Sequence, residues 1–497
     1  MTQKPYGVDP PSLRRTLGVM DGVAIAASST AATTSIGIGL GVTAGAVGLH
    51  LPAIMLLAFL PVLGIAGAYS RLNRVEPNAG NGYVWVGRSL TPWLGFLVGW
   101  VNIVATVAFL AYTTAVTGSA TLQLAGEAGL HEVAGHALDS GSTAQTTAVG
   151  IVVLVAVTLT AVTGVRTAAR LQSGLLVFEY VVLLGFCAYG IVTGPHPFSL
   201  SWFDPFEIPS ASALAQGLLL SVFCYWGFEA AFTVNEEVRD PRDASRAGII
   251  TLVTMLGLFL LGSVAFQRVL SGPELAGHGA EGLAFFGDRL AAQPLAALPL
   301  VALMFSAVAS LQAGVIPTAR GMFAMSRDRT LGPVWSKVSA RYGTPAAGTL
   351  LIGALAAAVA SLALVIPRLA DMIMATVNAV GIVVALSYAL TALAAAARFR
   401  GLLREDWRQG IRAVVLPSLS AAALLGLAGY LGWSFYTSAD HFEVSADNGW
   451  FLLLTPALMI VSGFLAAAWA KWVRKSAYFR TGHGTDADAP RLLATPN

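Results

Sequence analysis

The stretch Leu219–Ile249, LLSVFCYWGFEAAFTVNEEVRDPRDASRAGI, limits what this chain can fold into more than any other. It opens as an apolar helix and then places Trp226-Gly227-Phe228-Glu229 where a membrane-spanning helix should continue. Glycine is a weak helix former, and a carboxylate in bilayer hydrocarbon costs about 2.5–3.5 kcal/mol on insertion scales. A span that only held the fold together would carry neither. Interrupted helices whose freed backbone groups lie near the bilayer midplane are how many solute-moving membrane proteins build a binding site. About two turns further on, the segment leaves the membrane through Glu236-Glu237-Val238-Arg239-Asp240-Pro241.

The remainder of the chain supports a membrane setting. Of its 497 residues 56% are hydrophobic and only 11% charged, with a mean hydropathy of +0.71. Soluble domains carry about 25% charged residues, so the composition predicts a polytopic membrane protein. At roughly 20 apolar residues per span, the length accommodates about twelve helices. A net charge of +3 argues against a nucleic-acid partner. The two cysteines, Cys187 and Cys224, lie in apolar helices and form no disulfide framework or zinc pattern. All seven histidines fall in loops, at loop edges or in the tail, which predicts no buried metal cluster and no cofactor. The N-terminal MTQKPYGVDPPSLRR shows no cleavable signal pattern.

Three further segments have spacing too specific for chance. Pro77-Asn78-Ala79-Gly80-Asn81-Gly82-Tyr83 follows helix 2 (about 51–72), and Leu94-Gly95-Phe96 leads on into helix 3. Gly164-Val165-Arg166 closes helix 4 (about 146–163) and leads into helix 5 (about 171–193). Helix 8 (about 294–325) ends in Arg320-Gly321-Met322-Phe323-Ala324-Met325-Ser326-Arg327-Asp328-Arg329. Together with Gly227-Phe228-Glu229 and its Glu-Glu exit, these segments resemble the amino acid–polyamine–organocation (APC) permeases, from about Leu17 to Pro345 and less distinctly beyond. Arg329 stands where that family usually has glycine.

The resemblance implies an all-α integral membrane protein of the LeuT-like fold, with twelve transmembrane helices arranged as a 5+5 inverted repeat plus two C-terminal helices. A cytoplasmic segment 1–16 would precede the first repeat (17–193), the second repeat (194–397), helices 11 and 12 (398–475) and a solvated, disordered tail (476–497). It also implies a substrate held between breaks in helices 1 and 6. Helix 1 (about 17–47) offers two candidate breaks, the hydroxyl-rich Ser28–Thr34 and the glycine run Gly37–Gly41. The first is preferred because a central site belongs near the midplane. By position, Ser29, Thr30, Thr33 and Thr34 fall beside the helix 1 site. Phe223 stands at the family's gating aromatic, with Tyr225, Trp226, Gly227 and Glu229 completing the helix 6 side. Exposed amides near helix 1 would hold a carboxylate, and carbonyls at the helix 6 break would accept from an ammonium. Asn102 in helix 3 reads first as a helix–helix hydrogen bond and second as a substrate contact.

Glu179 sits eight residues past Leu171, about 12 Å into a core of about 30 Å. Several family members have a lysine at this position, implicated in proton coupling. Three roles compete for Glu179: a packing carboxylate, a counter-charge for a cationic substrate, and the proton-coupling group, which is the one expected here. The expected function is a secondary active transporter of amino acids or related amines, coupled to protons and without enzymatic activity. The alternatives are an exchanger of polyamines or other organic cations and, behind it, a passive channel. All but three of the 29 lysines and arginines (Arg268, Arg289 and Arg368) fall on one side. This asymmetry places both termini in the cytoplasm of a cell-membrane protein.

Overall fold

The computed structural model describes residues 13, 15–133, 135–277, 282–362, 364, 369–437 and 449–480. Among them, nine helices are long and apolar enough to cross a bilayer, a tenth candidate is a bent pair, and two shorter apolar helices remain. In chain order, helix 2 is Leu51–Val75, helix 3 Pro92–Glu127, helix 4 Thr143–Thr163 and helix 5 Val165–Thr193. Helix 7 is Pro241–Val269, helix 8 Leu298–Arg327, helix 9 Ala346–Leu362, helix 10 Leu369–Arg398 and helix 12 Gly449–Trp472. Helix 11, Leu416–Thr437, follows a π-helical turn at Ile411–Val415. The outward faces of helices 4, 5 and 12 expose Val152, Leu159, Val177, Val181, Leu458 and Leu465. Such a surface suits lipid, not water.

Helices 1 and 6 are the interrupted ones. Helix 1 runs as Val19–Thr30, then Ala32–Thr34, a π-helical Ser35–Gly39 and Leu40–Val47. Ala31 between the first two pieces is left-handed, at φ 50°. The chain then bends by 56° between Gly37 and Leu40. Both candidate breaks are therefore used: the hydroxyl run is interrupted, and the glycine run turns the helix. Helix 6 runs as Ala211–Cys224 and resumes at Ala230–Thr233, with Gly227 at φ 113° in the gap.

At one end of the bundle the sequence motifs lock together. Arg320 and Arg327 stand two turns apart on helix 8 and meet the two glutamates of the helix 6 exit. Arg320 donates through Nε to Glu237 Oε1 at 2.9 Å, and both side chains are buried. Arg327 makes a two-pronged pair with Glu236, at 2.9 and 3.0 Å. Glu236 Oε1 also accepts from the Ala79 amide of the helix 2–3 link, at 2.9 Å. Glu76, just before that link, pairs with Arg88 and with Arg398 of helix 10. The chain ahead of helix 1 joins in, as the Thr16 and Leu17 amides donate to the Glu237 carbonyl and the Arg239 amide donates to the Leu17 carbonyl. Here we call this the basic end.

Arg329 adopts φ 60°, which explains why glycine suits this position. One boundary moves from the sequence expectation. The tail was expected from residue 476, but residues 476–480 dock against the bundle. Tyr478 stacks on Tyr83 with ring centroids 4.8 Å apart, and Phe479 lies against Trp93 and Phe96. Aromatic faces of this size are worth burying wherever a matching surface exists. Residues 481–497 and 438–448 lie outside the described residues.

The Glu237–Arg320 pair carries a prediction about stability. Removing one partner of a buried pair leaves the other charge uncompensated, at a cost of about 3–5 kcal/mol. Glu237→Ala is therefore expected to lower the melting temperature of the purified protein sharply, and the double variant Glu237→Gln/Arg320→Met to recover much of the loss. Melting of Glu237→Ala at the wild-type temperature would show that the pair contributes nothing.

Candidate functional site

The two breaks touch. A Cβ built on Gly227 would lie 2.6 Å from the Ser29 carbonyl carbon and 2.7 Å from its oxygen. Only a glycine, at positive φ, lets the two interrupted backbones come this close. From this contact a cavity of about 750 Å³, its mouth included, extends toward the basic end. Ser29, Trp226 and Glu229 line it at the breaks; Asn102 and Thr106 of helix 3 and Pro317 of helix 8 form its walls. Asn81 and Tyr83 of the helix 2–3 link stand at the other end.

The opposite end of the cavity is aromatic. Trp226 meets Phe109 edge-on, with centroids 5.4 Å apart, and Phe223 tilts against the same indole at 5.5 Å. Phe223 thus backs Trp226 without lining the cavity itself. Tyr225 points elsewhere. Its ring packs on Phe59 and Phe259 and its hydroxyl donates to the Met55 carbonyl at 3.2 Å. The expectation that Tyr225 lines or caps the pocket is corrected: a helical stretch turns neighbours by about 100°, so Tyr225 and Trp226 face different ways.

Each break is fastened by a glutamate. Glu179, buried at 1% exposure, accepts from the Thr33 amide at 3.0 Å, and the Ser306 hydroxyl accepts from the Thr34 amide at 3.4 Å. The left-handed turn at Ala31 deprives these amides of helical partners, and helices 5 and 8 supply replacements. In helix 6 the Glu229 carboxylate accepts from the Gly227 amide at 3.0 Å and from the Tyr388 hydroxyl of helix 10 at 2.6 Å. Thr30 is occupied locally, donating to the Ala27 carbonyl at 2.9 Å, and Thr33 is fully buried. Of the residues expected at the substrate site, the structure brings Ser29, Trp226 and Glu229 to the cavity wall. Gly227 forms the seam and Phe223 packs on Trp226, while Thr30, Thr33 and Thr34 do not line the cavity. Helix 5 begins at Val165, earlier than expected, so Glu179 lies at its midpoint, equally far from Val165 and Thr193.

Sequence reasoning undervalued Asn102, which lines the cavity instead of bridging helices. It missed Tyr388, a residue in a helix without a distinctive motif, and Tyr69, whose ring adjoins Tyr388, Phe228 and Phe232.

Two touching helix breaks at the end of a cavity, in a bundle with an apolar outer face, define a multi-pass membrane transporter. The Amino acid permease family model matches residues 22–462. The chain belongs to that family: it is a permease, not an enzyme. It is similar to the low-affinity putrescine importer PlaP of Escherichia coli, 25% identical over 64% of this chain and 68% of the relative. A methylthioribose transporter of Bacillus subtilis is 26% identical over 62% of this chain and 67% of its own length. The vacuolar cationic amino acid transporter 4 of Arabidopsis thaliana is 27% identical over 71% of this chain and 59% of its own length.

Proposed function

We propose that this permease is a secondary active transporter of amino acids or related amines, driven by protons and working by alternating access. The substrate sits between the breaks of helices 1 and 6. The observation that carries this reading is the Gly227–Ser29 contact at the end of the cavity. A solute there meets freed backbone from two helices at once, and small rotations of one against the other change which side it faces. The bundle has twelve spans, counting the bent helix 1 and the shorter helices 6 and 9. Helices 1–5 and 6–10 form inverted repeats, and the basic end faces the cytoplasm of the cell membrane. The putrescine and cationic amino acid relatives favour amines. The methylthioribose transporter is equally similar, so the choice among solutes rests on the cavity.

Counterflow in proteoliposomes tests the carrier reading. Liposomes loaded with unlabelled substrate are expected to accumulate labelled substrate transiently without any imposed gradient. Simple equilibration would instead indicate a channel. Orientation is tested separately with Ser140→Cys and Ser445→Cys, the second at a position outside the described residues. Both are expected to react with an impermeant maleimide in intact cells, and reaction only after permeabilisation would reverse the topology.

A further inference from the structure

We propose that the transported solute is an organic cation that carries no carboxylate: an alkylamine or guanidinoalkane rather than the corresponding amino acid. The inference rests on the transport reading above and narrows its substrate.

An amino acid brings two charges into the site, and its carboxylate needs amide donors such as those exposed by a broken helix. In this protein three of those donors are already committed. The Thr33 amide of helix 1 is held by Glu179 and the Gly227 amide of helix 6 by Glu229, each at 3.0 Å. The next amide, Thr34, goes to Ser306. Two of the chain's own carboxylates thus occupy break amides that a substrate carboxylate could otherwise use, and one of them, Glu229, also lines the cavity. For a zwitterion to use either of these two amides it must displace a buried carboxyl group from its donor and bring its own negative charge beside it.

The cavity wall points the same way. Among the described residues Glu229 is its one charged lining residue, and no lysine, arginine or histidine lines it. No cationic side chain there can receive a substrate carboxylate, whereas Glu229 suits an ammonium or guanidinium group. The indole of Trp226 and the ring of Phe109 add aromatic surface, which attracts cations through the ring face. A flexible cation thus finds a carboxylate and aromatic rings in the cavity, and nothing in the wall requires an anion from it.

The test uses paired ligands differing only in the carboxylate, cadaverine against lysine and agmatine against arginine, titrated onto the purified full-length protein in nanodiscs. Cadaverine and agmatine are each expected to bind about tenfold or more tightly than their amino acid partners. Glu229→Gln is expected to weaken both amines by about tenfold. Lysine or arginine binding as tightly as its amine overturns the proposal while leaving amino acid transport at the breaks intact. If all four ligands fail to bind the folded wild-type protein, this proposal falls, while the transport reading is decided separately by counterflow. The wild-type pairs decide the matter even where Glu229→Gln does not fold.

Discussion

Gly227→Leu is expected to abolish substrate binding and uptake in a protein that still folds and inserts. Two physical effects act together. The φ of 113° at this residue is one that side-chain-bearing residues avoid, at a cost of about 1–3 kcal/mol. In addition, the new Cβ would meet backbone atoms of Ser29 at 2.6–2.7 Å, and backbone cannot turn aside as a flexible side chain does. The breaks must separate, and the substrate position they share is lost. Because the clash begins at Cβ, Gly227→Ala is expected to lose most activity as well. A size-exclusion profile and melting curve establish folding, and the initial rate of uptake in proteoliposomes reads the effect. Uptake by Gly227→Ala or Gly227→Leu at the wild-type rate would remove this seam from the mechanism.

The second large effect concerns coupling. Glu179 lies at the midpoint of helix 5 and holds the Thr33 amide of the helix 1 break. A carboxylate that binds an amide while charged, and binds it less firmly once protonated, can tie the position of helix 1 to the state of one proton. Glu179→Gln keeps an oxygen for the Thr33 amide but cannot cycle a proton. The variant is expected to retain binding and homo-exchange and to lose accumulation driven by an imposed pH gradient. Survival of gradient-driven accumulation in Glu179→Gln would rule out this role. Loss of binding for cationic substrates alone would instead make Glu179 a counter-charge. The lysine that the resemblance gives several family members at this position becomes a cation on protonation, whereas glutamate becomes neutral.

The sequence by itself determined the features that arise from local cost. Gly227 and Glu229 announce the helix 6 break because no membrane span carries both without use. The depth of Glu179 follows from counting along a helix, and the family's signature segments follow from their spacing. Three things depended on residues far apart in the chain, and only the tertiary structure decided them. Ala31 takes a left-handed conformation at a cost of about 1–2 kcal/mol, which nothing in its neighbours' identities announces. It is held there by partners from helices 5 and 8. Which break residues face the cavity was likewise settled by packing: Trp226 toward Phe109, Tyr225 toward Phe59 and Phe259. The signature segments could be read separately, yet their meeting could not: Glu236 and Glu237 with Arg327 and Arg320, and Glu236 with the Ala79 amide. A helix break records the preferences of a few adjacent residues. Choosing the donors and acceptors that complete it takes the whole bundle, since every buried polar group must find its partner wherever the packing brings one.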